Sequence, residues 1–164
     1  MSAESEVEFA DHVGQHFAKL FAMPPLTGRV LGWLMICDPP EQTAAELAEA
    51  LHASRSAISG AVNMLETFRY IRRARAAGER VDRISLHPDA WERSFETPGE
   101  HDVLEDLANQ GLAALGDGVP PARRARLLEL LALNEFLRDR TPKLQAEWRA
   151  HRDALRASGE LPEA

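Results

Sequence analysis

Between Ser54 and Phe68, Arg55, Ser56, Ser59, Gly60 and Asn63 fall on one side of a helical repeat. Their side chains are short, amide- or hydroxyl-bearing or, for Arg55, a guanidinium fork. The opposite side carries Ile58, Val62 and Leu65 at i, i+4 and i+7, a single apolar stripe. A solvated helix face is ordinarily filled with Glu, Lys and Gln, which favour helix more than Ser, Gly or Asn. The chemistry open to such a bare face is hydrogen bonding to a surface that comes very close. Gly60 costs about 1 kcal/mol of helix stability relative to Ala and leaves room for that approach. These are the requirements for meeting base edges in a major groove. There Arg bonds guanine, Asn bonds adenine and Ser bonds bases or phosphate, whereas long acidic side chains would be repelled. Packing of Ser59 and Gly60 against a neighbouring helix is the alternative reading of the same small residues.

A second set of groups follows at once. Arg72, Arg73, Arg75, Arg80 and Arg83 flank a turn at Ala76–Arg80 that contains Gly78. Tyr70, Ile71, Val81, Ile84 and Leu86 give the two arms the composition of strands. The segment thus predicts a basic hairpin, with Arg80 placed to enter a narrow minor groove and the other arginines near phosphates. A merely solvated charged face is the alternative. The whole chain of 164 residues has a net charge of −7, yet residues 54–83 hold seven Arg against Glu66, Glu79 and Asp82. A polyanion is therefore attracted to one region and repelled elsewhere.

The elements that must position these residues are legible from periodicity. Glu4–Met23 carries Val7, Ala10, Val13, Phe17, Leu20 and Phe21 at helical spacing and ends at Pro24-Pro25. LTGRVLGWLMIC, Leu26–Cys37, is apolar nearly all round and predicts a buried helix closed by the turn DPPEQ. Thr43 and Glu46 form a capping box ahead of a short helix with Leu47 and Leu51 inward. The link His52–Ser54 leads into the bare-faced helix, capped by Ser54, so the pair has helix-turn-helix spacing. Helix, turn, helix and basic hairpin together give the order of a winged helix. Beyond His87-Pro88, residues 89–95 predict a short helical turn. Val103, Leu104, Leu107, Ala108, Leu112 and Leu115 mark a further helix. After the break GDGVPP comes a long last helix that Pro142 is expected to kink or interrupt.

Composition excludes several classes. No apolar run approaches the roughly 18 to 20 residues that span a bilayer, and MSAESEVEF has no secretory-signal character. With Cys37 as the only cysteine, a reducing cytoplasm is the expected compartment. His12 and His16 have i, i+4 spacing beside Asp11, but without a second cluster they predict no metal site. There is no phosphate-binding Gly-rich loop and no GxSxG, so neither an enzyme nor a cofactor is expected. Cys37 ends an apolar run and reads as a buried thiol, with redox sensing as its alternative.

GRVLGWLMICDPPEQTAAELAEAL, SRSAISGAVNMLE and GERVDRISLHPDAW resemble the MarR-type winged-helix regulators, nearest to the subgroup of choline- and glycine-betaine-responsive repressors. The resemblance spans about residues 24–95. It implies a mainly α fold with a small β wing: a winged helix-turn-helix at 24–88, with dimerisation helices at 1–23 and 89–164. It implies a homodimer on a pseudo-palindromic duplex, half-sites roughly 34 to 36 Å apart. The helix from Ser54 to Phe68 would enter the major groove and Arg80 the minor groove. Such wings carry Asp-x-Arg, and here Gly78 stands where the Asp would be. Family members often have Gly before the first wing strand, where this chain has Phe68-Arg69. A small organic effector is a further implied partner, with Phe17, Phe21, Trp33 and Met35 as candidate pocket residues; core packing is their other reading. The expected function is a ligand-responsive repressor, and the rival is a winged helix used for protein contacts without DNA.

Overall fold

The computed structural model describes residues 3–75, 78, 80–95, 100–116 and 118–162. It divides into two compact units, residues 1–91 and 92–164. The first contains α1 (Ala3–Phe21), α2 (Pro25–Leu34), α3 (Ala44–Ala50), α4 (Arg55–Thr67), β1 (Ile71–Ala74) and β2 (Arg83–Leu86). A 3-10 turn at Ala90–Phe95 leads on to α5 (Glu100–Leu115) and α6 (Pro121–Ser158) of the second.

In the first unit, the core is built from Val30, Leu31 and Leu34 of α2, Leu47 and Leu51 of the helix-turn-helix, and Ile58, Ala61, Val62 and Leu65 of α4. Ile71 and Ile84 close it from the wing. The wing is antiparallel, with Ile71 opposite Leu86 and Ala74 opposite Arg83. Pairing stops there, so Val81, which the sequence places in a strand, lies exposed in the connecting loop. A single-residue third strand was not foreseen. Buried Gln42 exchanges both backbone hydrogen bonds with Ile84, at 2.9 and 2.7 Å, and its side-chain amide donates to the Pro39 carbonyl at 2.8 Å. It ties the wing to the entrance of α3.

Helix ends explain the tightness of the helix-turn-helix. Thr43 and Glu46 form the expected reciprocal box, Thr43 N–H donating to Oε2 of Glu46 at 2.6 Å. At the far end, His52 N–H reaches the Glu49 carbonyl and Ala53 N–H the Ala48 carbonyl. The close of α4 repeats this pattern, Arg69 to Glu66 and Tyr70 to Leu65, both at 2.9 Å. Both are Schellman endings. The residue that turns the chain is left-handed in each, φ 50° at His52 and 57° at Arg69. The sequence lacks the expected glycine before the wing, but the backbone still makes the glycine's turn.

α1 crosses α2 through glycines that sequence periodicity did not single out. A Cβ on Gly32 would stand 2.8 Å from Cβ of Val13 and 3.0 Å from Cα of Ala10. One on Gly28 would stand 2.8 Å from Cα of Gly14. Arg29 and Asp11 add an ion pair across the crossing.

In the second unit, α5 and α6 pack together, with Gly111 against Leu127 and Arg138 bonded to Asp102 and Glu105. Pro142 does not interrupt α6, which runs on for sixteen residues to Ser158. A lone proline forfeits one hydrogen bond and strains one turn, about 3 kcal/mol, which a long packed helix can absorb. The carboxylate of buried Glu92 is held by Arg149 at 2.8 Å and Arg152 at 3.0 Å. No described helix is long and apolar enough to cross a membrane.

Two substitutions test these joints in opposite directions. Gly32→Ala should destabilise by about 1–3 kcal/mol, because the backbone beside it cannot yield easily. Arg69→Gly should stabilise by about 1 kcal/mol by relieving a left-handed L-residue. Urea unfolding of both variants beside the parent measures each.

Candidate nucleic-acid interface

Burial of Ile58, Ala61, Val62 and Leu65 fixes the rotation of α4 and turns Arg55, Ser56, Ser59, Gly60 and Asn63 to solvent. A Cβ built on Gly60 meets nothing within 4 Å. Among the described residues Gly60 therefore packs against no helix, and Ser59 beside it is exposed. At its N-terminal end Ser54 Oγ accepts from Ala57 N–H at 3.2 Å and lies 3.1 Å from Oγ of Ser56.

Beside this face is a groove of about 470 Å³ between the start of α3, α4 and the wing. Its walls include Arg55, Ser59, Arg73, Arg75 and Arg80, so residues from both predicted sets converge on one concavity. Thr43, Ala44 and Ala45 line it too, a contribution that the sequence reading missed. The available signal was the pair of small residues directly after the capping threonine.

The arginines differ in what already holds them. Arg75 donates to Asp82 across the wing at 2.7 Å. That bond holds the Asp82 carboxyl below the usual carboxylate range, and the guanidinium is raised in turn. Arg72 donates to Oγ of Ser85 at 3.2 Å. Arg73 bonds Oδ1 of Asn63, while its Nε lies 3.0 Å from Oε2 of Glu66. Arg83 is also engaged rather than free. Arg55 and Arg80 make no hydrogen bond or ion pair with the described residues. They sit at the α4 and wing sides of the groove. Gly78, with φ 90°, turns the wing just before Arg80.

The candidate effector residues do not line this groove. Phe17 stacks against Phe21, centroids 5.3 Å apart, and meets Tyr70 edge-on at 6.0 Å. Half-buried Trp33 packs on the core, whereas Met35 is exposed. Burial pushes the Cys37 thiol up, the opposite of what a reactive thiolate needs.

Comparison with known proteins assigns this architecture. The family described as MmpR5-like MarR family transcriptional regulators matches residues 89–151. The HTH-type transcriptional regulator MmpR5 of Mycobacterium tuberculosis (strain ATCC 25618 / H37Rv) is 40% identical over 144 residues, covering 84% of this chain and 83% of that protein. The chain belongs to the MmpR5-like MarR family of transcriptional regulators. A crystal structure of a transcriptional regulator superposes on it with a TM-score of 0.81 at 36% identity, covering 89% of this chain and 99% of the other. The MarR-type winged helix expected from the sequence is thus the observed fold. Within the MarR type, the description that matches is MmpR5-like.

In this MarR-family chain Gly60 has no packing role among the described residues. Gly60→Ala should therefore stabilise the fold by about 1 kcal/mol, read by urea unfolding. A loss of stability would mean that the face is covered.

Proposed function

We propose that the chain binds a pseudo-palindromic DNA duplex as a homodimer and acts as a ligand-responsive repressor. The observation that carries this reading is the exposed, nearly uncharged face of α4 beside a groove where Arg55 and Arg80 pair with none of the described residues. Arg55, Ser56, Ser59 and Asn63 are assigned to the major groove and Arg80 to the minor groove. Arg72, Arg75 and Arg83 lie where phosphates would pass, though each must share or exchange its present partner. Backbone neutralisation supplies affinity and base contacts supply preference.

Dimerisation is supported by apolar side chains left in solvent. Val103 and Leu107 of α5 and Leu128, Leu133, Phe136 and Leu144 of α6 are each about half exposed. Leu20 and Phe21 at the end of α1 are exposed likewise. Water contact over such surface is relieved most simply by a second copy. For the effector, Phe17, Phe21, Trp33 and Met35 remain the assigned candidates. The buried indole N–H of Trp33 has no hydrogen-bond partner among the described residues, which supports a polar ligand atom beside it.

Fluorescence anisotropy with duplex DNA from upstream of the chain's own gene tests the reading at two salt concentrations. Binding should weaken steeply with salt, log K falling by about 0.9 per phosphate for each tenfold rise. Arg80→Ala should cost about 1–3 kcal/mol on that duplex. Salt-insensitive binding to a protein partner and none to DNA would favour the interaction-module reading instead.

A further inference from the structure

The last backbone rung of the wing joins Ala74 to Arg83, and the next is made by side chains. Arg75 and Asp82 stand opposite each other there, and Arg75 Nε donates to Oδ1 of Asp82 at 2.7 Å. A carboxylate is out of place at this point. Asp82 lines the same groove as Arg55, Arg73, Arg75 and Arg80, and is the only acid among the described residues that do. The bond from Arg75, with the nearby charge of Arg73, holds its carboxyl below the usual range, so it is ionised at neutral pH. An anion facing a polyanion costs affinity. An ion pair whose side chains are 58% and 37% exposed adds little to stability.

What the pair contributes is mechanical. Arg80 lies two residues before Asp82 and three before Arg83. Extended chain covers about 3.5 Å per residue, so a tie at Asp82 keeps the Arg80 backbone within about 7 Å of a fixed point. From the last backbone rung the reach is about 10 Å. The volume open to Arg80 goes as the cube of that reach, so the tie reduces it about threefold. Little else restrains the tip: Gly78 has no side chain, and Val81, between Arg80 and Asp82, is 57% exposed. A guanidinium has five donors and this bond uses one, so Arg75 can keep Asp82 and still meet a phosphate.

We infer that Asp82 is a positioning residue for Arg80: tied to Arg75 across the wing, it holds the tip where Arg80 meets the minor groove. The inference rests on the DNA-binding reading above. It makes the groove's carboxylate an aid to operator binding, against the sign of its charge. Less chain freedom is then lost when Arg80 enters the groove.

The test uses the full-length protein and its operator at physiological ionic strength, with each A·T pair of one half-site changed in turn to G·C. Arg80→Ala marks the positions under the wing tip, as those whose A·T preference disappears. Asp82→Ala should lose the preference at those positions and keep it elsewhere in the half-site. Its operator binding should weaken about threefold for each wing engaged, or about tenfold for a dimer. On an unrelated duplex it should bind as tightly as the parent or more so, since an anion has gone. Arg75→Ala, which cuts the tie from the other arm, should lose the same preference. Added to Arg80→Ala, Asp82→Ala should weaken operator binding no further. Tighter operator binding by Asp82→Ala, an undiminished wing preference, or equal weakening on every duplex would overturn the inference while leaving DNA binding intact. Absence of any sequence-preferring binding by the parent would instead overturn the DNA-binding reading, and this inference with it.

Discussion

Backbone hydrogen bonds leave a helix free to rotate about its own axis, and in α4 the core removes that freedom. Ile58, Ala61, Val62 and Leu65 are all nearly or wholly buried, against α2 and the wing. Each residue on the outer face owes its direction to that stripe. Turning α4 by one position would bury Ser59 or Asn63 without partners, at a cost of a few kcal/mol each. The groove follows from the same constraint, because the wing strands enter the core through Ile71 and Ile84 and so cannot move independently of α4. Gln42 fixes the remaining side by pairing with Ile84.

Much of this was legible because it depends on short-range patterns. The capping box at Thr43, the cap at Ser54, the stripe on α4 and the glycine-centred hairpin all lie within a few residues of chain, where spacing determines geometry. The remainder depends on partners that spacing cannot name. Nothing local says that Asn63 meets Arg73, that Gln42 meets Ile84, or that Gly14, Gly28 and Gly32 allow α1 to lie on α2. The left-handed turns at His52 and Arg69 were hidden for a different reason. The Schellman hydrogen bonds hold the backbone there whatever residue is present, so the usual glycine signal is missing. Of the kink or interruption that Pro142 leads one to expect, the interruption does not occur, because a long helix can absorb one lost bond.

The basic segment also reads differently once its pairs are known. As a count, seven arginines suggest a uniformly positive surface. In the fold, Asp82 and Glu66 compensate Arg75 and Arg73, and Arg55 and Arg80 are among the arginines with no ion pair to a described residue. Charge localised by its pairing specifies distance and direction, which a diffuse field does not. An acidic protein can therefore carry a positive site without attracting polyanions over its whole surface.

The glycine crossing of α1 and α2 bears on how such a regulator would fail in a cell. Gly14, Gly28 and Gly32 lie in the same unit as the bare face but take no part in it. A side chain at any of them raises the unfolded fraction, and proteases remove what unfolds. A genetic screen for lost regulation would therefore collect two kinds of variant with one phenotype. Those on the outer face of α4 would leave a normal amount of inactive protein, whereas those at the crossing would leave little protein at all.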